Sequence, residues 1–206
     1  MVIGYHAIFA AYGFWLPNDG RGSWSSEVWA EHLKPFGGAT KVTTRRSLAA
    51  KPHDVSARRA AKAALRYPAV RFDGVQARAV ARGFAEVVGF LDLSVYACAI
   101  LPDHVHLVVG RHRETVEQIV GFLKRAATRE MARERLHPLA WYSRGNGQAP
   151  SPWVRGGWKR YLDNGDAMVD AINYAMKNPV KMGFKKQSWR FLREYCGRGS
   201  SPGGAG

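Results

Sequence analysis

Apolar positions along this chain recur with two different periods, and the places where the period changes mark out the elements. Residues 2–12 are rich in β-formers and run into WLPNDGRGSW, where Pro17, Asn18, Gly20 and Gly22 predict a loop after a first strand. From 24 to 72 the pattern is irregular and basic, with Lys41, Arg45, Arg46 and Lys51. One helix is expected there, over about 55–66 and capped by Asp54, and the stretch of about 25–72 reads as an insertion. Val80, Phe84, Val87, Val88 and Leu91 have the spacing of an amphipathic helix over 76–91. Two β-rich runs, 94–101 and 105–109, flank Pro102 and Asp103 and predict a hairpin. Val116, Ile119, Val120, Leu123, Ala127 and Met131 predict a second long helix over 115–135 with a basic outer side.

A Gly, Pro and Ser-rich connection over 143–152 leads to a short strand at 158–162 and a last helix over 166–177, which Pro179 is expected to stop. Strand, helix, hairpin, helix, strand, helix is the order of an α+β sandwich, a mostly antiparallel sheet of about four strands with helices against one face. The expected organisation is one catalytic domain over 1–185 and a flexible tail over 197–206, with no internal repeat.

Composition adds a partner to this picture. The 206 residues are 46% hydrophobic with seven Trp, nine Phe and eight Tyr, enough for one substantial core. Lys and Arg number 31 against 16 Asp and Glu, a formal charge of +15, which points to a polyanion. Nucleic acid fits better than a membrane surface, because the basic residues are scattered through structured segments and form no single basic amphipathic helix. Cys98 and Cys196 lie too far apart to suggest a disulfide scaffold or a zinc site, so a reducing cytoplasm is expected. The N-terminus has no signal-peptide pattern and nowhere are there 18 consecutive apolar residues, so neither secretion nor membrane insertion is expected.

Two features carry chemistry. In LPDHVHLVV, His104 and His106 stand two apart on a strand, so both imidazoles project from one face while Val105, Leu107 and Val109 take the other. Such a pair can converge on one metal ion, or be two edge histidines bonded to backbone or water. In DAINYAMKNPVKMG, the expected apolar stripe is Met168, Val169, Ile172, Ala175 and Met176, and Tyr174 lies off it. Asp170, Tyr174 and Asn178 are four apart and share a second face, either a site or ordinary solvated surface. Asp19 and Asp103 can approach a metal, although turn-forming roles suit them better.

Taken together these residues resemble the single-tyrosine HUH transposases, especially the REP-associated tyrosine transposase branch of bacterial chromosomes. His104, Val105 and His106 match the HUH triplet, and Tyr174 in YAMKNPVKMG matches the nucleophile segment. YHAIF, WLPNDGRGSW, ACAILPDHVHLVVG and SPWVRGGWKRYLD also match the family's look, in its order, so the resemblance runs from Gly4 to about Phe184. It implies a ferredoxin-like fold and a metal site of His104, His106 and Asn178, where relatives often carry Gln in place of Asn178. It implies Mg²⁺ or Mn²⁺, a Tyr174 nucleophile and a 5′-phosphotyrosine intermediate. The implied partner is single-stranded DNA beside REP-like hairpins, bound by a monomer or homodimer in the bacterial cytoplasm, on the nucleoid.

Arg155, Lys159, Arg160, Lys177 and Lys181 are the candidates for tracking the DNA backbone. Trp15, Trp24 and Trp158 are candidates for stacking on bases, against a plain core role. A hairpin-binding protein of DNA or RNA that does not cut is the principal rival, and it has no need for Tyr174 beside two histidines. A zinc hydrolase ranks below it, because no His-Glu-x-x-His motif or cysteine pair supplies the remaining ligands.

Overall fold

The computed structural model describes residues 1–20, 27–28, 30–40, 54–143, 145 and 147–197. Trp24, Lys41, Arg45, Arg46, Lys51 and the expected tail from 198 onward lie outside the described residues. Four strands, β1 (Gly4–Ala10), β2 (Val95–Ile100), β3 (His104–Gly110) and β4 (Trp158–Leu162), form one sheet in the order β2-β3-β1-β4. Every neighbouring pair is antiparallel. With helices between β1 and β2 and between β3 and β4, this is the ferredoxin-like arrangement.

Helix α1 (Val55–Ala63) belongs to the insertion, and Asp54 caps it as expected by accepting from Ala57 N at 2.8 Å. Helices α2 (Gly74–Leu91) and α3 (Val116–Arg133) each begin with a reciprocal capping box, Asp73 with Gln76 and Thr115 with Gln118. Both lay their apolar stripes on the sheet face made by Ala7, Phe9, Val105, Leu107 and Val109. Gly83 permits their close approach, since a Cβ there would fall 2.7 Å from the backbone of Ala126 and Ala127. The insertion adds a small cluster of its own, Leu16, Leu33 and Ala61.

The helices do not all share one face. Helix α4 (Gly165–Lys181) packs Met168, Ala171 and Ala175 against Ala97, Val108 and Leu162 on the opposite side of the sheet. Strand alternation explains this: residues 104, 106 and 108 of β3 point away from the main core, and the apolar Val108 among them needs a cover. Val169, placed on the apolar stripe by the sequence, is 46% exposed, and Ala171 takes its place.

Pro179 does not stop α4. It is buried inside the helix, which continues to Lys181. Gly183, at φ 79°, ends it. Gly183 N donates to the Val180 carbonyl at 3.0 Å and Phe184 N to the Pro179 carbonyl at 2.8 Å, a Schellman closure that glycine favours. Proline removes one N–H but satisfies helical φ, so burial of its ring offsets the lost bond.

The packed unit also extends beyond residue 185. Gln187 bonds both the N–H and the carbonyl of Ile100 at 2.8 Å, Trp189 Nε1 donates to the Cys98 carbonyl, and Arg193 N donates to the Val95 carbonyl. This segment satisfies the outer edge of β2, which would otherwise present unpaired backbone groups. Among the described residues no helix is long and apolar enough to cross a membrane.

Candidate metal and tyrosine centre

Strand β3 leaves the Pro102–Asp103 turn with His104 and His106 on the α4 face, as their spacing predicts. His106 is 3% exposed and His104 stands at the rim. Their Nε2 atoms lie 3.1 Å apart. Two ligands about 2.1 Å from one cation at adjacent octahedral corners would be about 3.0 Å apart, so the pair has the separation that chelation requires.

The tautomers also fit. Asp103 Oδ1 lies 2.7 Å from His104 Nδ1, and an ionised carboxylate can only accept, so Nδ1 carries the proton and Nε2 offers a lone pair. A carboxylate bonded to a histidine in this way fixes its tautomer and ring orientation. Asp103 is held in turn by Arg71, whose Nη1 donates to Oδ2 at 3.2 Å. It therefore serves the turn and the site together. Phe14 stacks on the His104 ring at 5.0 Å and fixes its other face.

A third histidine completes the cluster. His6 on β1 reaches His106 Nδ1 with its Nε2 at 3.1 Å, and the two rings stack at 5.4 Å. Sequence reasoning passed over His6, although it stands in the YHAIF stretch. The available signal was a lone histidine in an apolar strand, in phase with Ile8 and Ala10 on one face. Burial, helped by the Arg160 guanidinium, pushes His6 down to about pKa 4. His106 is lowered too, by burial first and then by His104 and His6. Both are neutral near pH 7, the state that metal ligation needs.

Tyr174 comes to the same place from α4. Its ring centroid lies 5.5 Å from that of His106 and 5.8 Å from that of His6, both edge-on. It is nevertheless 48% exposed, so a large ligand can reach it. Lys181 sets its ammonium 5.5 Å from the ring centroid. Asn178 donates its Nδ2 to the Tyr174 carbonyl at 2.8 Å, one turn back, which ties its nitrogen to the helix and leaves Oδ1 as the possible ligand atom. Among the described residues no group of three or more His, Cys, Asp or Glu is arranged to hold a metal.

The other candidates divide. Trp158 meets the edge of His6 at 5.4 Å, and Arg160 is close enough to depress the His6 pKa, so β4 sends both toward the centre. Lys177 and Arg155 are exposed, on α4 and on the approach to β4. Lys159 alternates to the opposite face, where it pairs with Glu117 of α3, so it does not belong with the others. Trp15 packs edge-on against Phe14 at 4.6 Å. Asp19 is buried and lines a cleft with Phe14 and Asp103.

No family model matches the chain and no curated protein matches it. Its structure is similar to that of a REP-associated tyrosine transposase bound to a REP hairpin, at 12% identity and a TM-score of 0.47 over 91% of this chain and 73% of the other. It is also similar to a putative transposase from Deinococcus radiodurans R1, at 16% identity and a TM-score of 0.40 over 86% and 91%.

Proposed function

We propose that this chain is a divalent-metal-dependent nuclease and strand transferase, acting on single-stranded DNA beside a hairpin through a 5′-phosphotyrosine on Tyr174. The single observation that carries the reading is the convergence of Tyr174 from α4 and the His104–His106 pair from β3, with 5.5 Å between the Tyr174 and His106 rings. In this reading His104, His106 and Asn178 hold Mg²⁺ or Mn²⁺. Bound there, the ion polarises the scissile phosphate and offsets its charge.

The protein's own groups do the rest. Asp103 and His6 keep the two imidazoles oriented, and Trp158 packs beside His6. Tyr174 Oη gives up its proton to solvent and attacks phosphorus, the bond from phosphorus to the 3′ oxygen breaks, and the departing oxygen takes a proton from solvent to become a 3′ hydroxyl. A phenol ionises near pH 10 in water, so the reaction needs the positive field of the site to favour the phenolate as it attacks. Lys181 supplies part of that field beside the ring. The phosphotyrosine conserves the diester bond, so a 3′ hydroxyl can attack it, expel Tyr174 and join strands without a nucleotide cofactor.

Incubation with a hairpin DNA carrying single-stranded flanks and Mn²⁺ tests the reading. A protein–DNA adduct stable in denaturant is expected, dependent on the ion and absent in Tyr174→Phe. No adduct from the wild type under any divalent ion, or an undiminished one from the variant, contradicts it.

A further inference from the structure

Beside the centre, and sharing Phe14, Arg71 and Asp103 with it, lies an open cleft of about 470 Å³. Its walls carry Arg58, Arg59 and Lys62 from α1 and Arg71 from the segment leading to α2. The three α1 residues are spaced i, i+1 and i+4, so they share one side of the helix, while Ala61 turns inward onto Leu16 and Leu33. Among the described residues no ion pair engages Arg58, Arg59 or Lys62. Asp103 faces Arg71 and His104, and Asp19 is 1% exposed, so the cleft presents cations to solvent. Helix α1 thus uses a small apolar contact to hold positive charge over the approach to the metal ligands.

We propose that this cleft binds the phosphodiester backbone of a single-stranded DNA segment flanking the scissile phosphate, making the insertion a strand-guiding subsite. Three features favour a strand over a free anion. The cleft is large enough for a nucleotide-sized group, since ligand sites commonly run from about 300 to 1,000 Å³. It opens beside the Phe14 ring, which already lies flat against His104. Its floor is shared with the centre through the Arg71–Asp103–His104 chain, so a strand in it arrives at the histidines. The inference rests on the strand-transfer reading for its ligand, but it concerns binding and not chemistry.

The test is equilibrium binding of the full chain in EDTA, by fluorescence anisotropy, to three DNAs: one blunt hairpin, and the same hairpin with a single-stranded extension on the 5′ or on the 3′ side. R59Q/K62Q removes two exposed charges at little risk to folding, which a thermal melt verifies. For at least one extended hairpin it is expected to weaken binding roughly tenfold at 0.15 M salt and to flatten the salt dependence by about 1.4, at 0.7 for each lost single-strand phosphate contact. Binding of the blunt hairpin should not change, and R111Q/R113Q, at the other end of β3, should not reproduce the effect. Unchanged affinity and slope for both extended hairpins overturns the proposal, as does an equal fall for all three DNAs or an equal effect of the control. Adduct formation is scored separately: an adduct from wild type with unaltered binding by R59Q/K62Q removes the subsite and leaves the chemistry. The expected binding loss with no adduct does the reverse.

Discussion

The two faces of this sheet are made by the same strands, and they do different work. Toward α2 and α3, alternate residues of β1 and β3 are Ala7, Phe9, Val105, Leu107 and Val109, all buried in one apolar cluster. Toward α4, the residues between them are His6, His104 and His106, with Trp158 and Arg160 beside them from β4. On that second face Ala97, Val108 and Leu162 pack with the α4 residues Met168, Ala171 and Ala175 in a smaller apolar cluster. A one-residue step along β3 therefore moves from the main core to the proposed centre. The small second cluster has one task that the large one does not, to anchor the helix that presents Tyr174.

If that division is right, substitutions on the two faces should separate cleanly. The largest expected effect is on chemistry: Tyr174→Phe should lower strand cleavage by a factor on the order of 10⁴ or more, with stability changed by no more than about 0.5 kcal/mol at this half-exposed position. Gel-based cleavage assays and thermal melts of the same preparation read both. Leu107→Ala, next to His106 but facing the core, should cost about 2–5 kcal/mol in denaturant unfolding, while the surviving folded fraction still forms adduct.

A pH titration sharpens the contrast from the other side. His6, lowered from 6.5 to about 4 in the folded chain, stays unprotonated where the unfolded chain takes up a proton. The unfolded state thus binds more protons between those values, and stability should fall as pH drops from about 6.5 toward 4, by about 3 kcal/mol from this group. Melts of the metal-free protein should show that acid limb, and His6→Gln should flatten it. Asp103→Asn should weaken metal affinity by about 10- to 100-fold, measured by calorimetry, while leaving the hairpin turn in place. The smallest change is expected at the end of α4, where Gly183→Ala puts a side chain at φ 79° and should cost about 1–2 kcal/mol.

Elements with a strong single period were readable from the chain. β4 falls at residues 158–162 as expected, and the apolar stripes of α2 and α3 are buried but for the partly buried Leu91. The His104–His106 spacing fixed their common face, and the helical spacing of Asp170, Tyr174 and Asn178 fixed theirs. What could not be read was which face α4 would cover, because that depends on long-range pairing of β1, β3 and β4. His6 went unassigned for the same reason: only the sheet order brings residue 6 beside residue 106. Lys159 looked like its neighbours until strand alternation turned it to α3. Pro179 misled because burial of its ring and the Gly183 closure outweigh its local preference.

The most direct test of the central claim is peptide mapping of the DNA adduct. After nuclease trimming and tryptic digestion, the fragment spanning residues 161–177 contains two tyrosines, Tyr161 and Tyr174. Fragmentation should place a nucleotide 5′-phosphate on Tyr174 alone. A phosphate on Tyr161, or on any other residue, contradicts the claim.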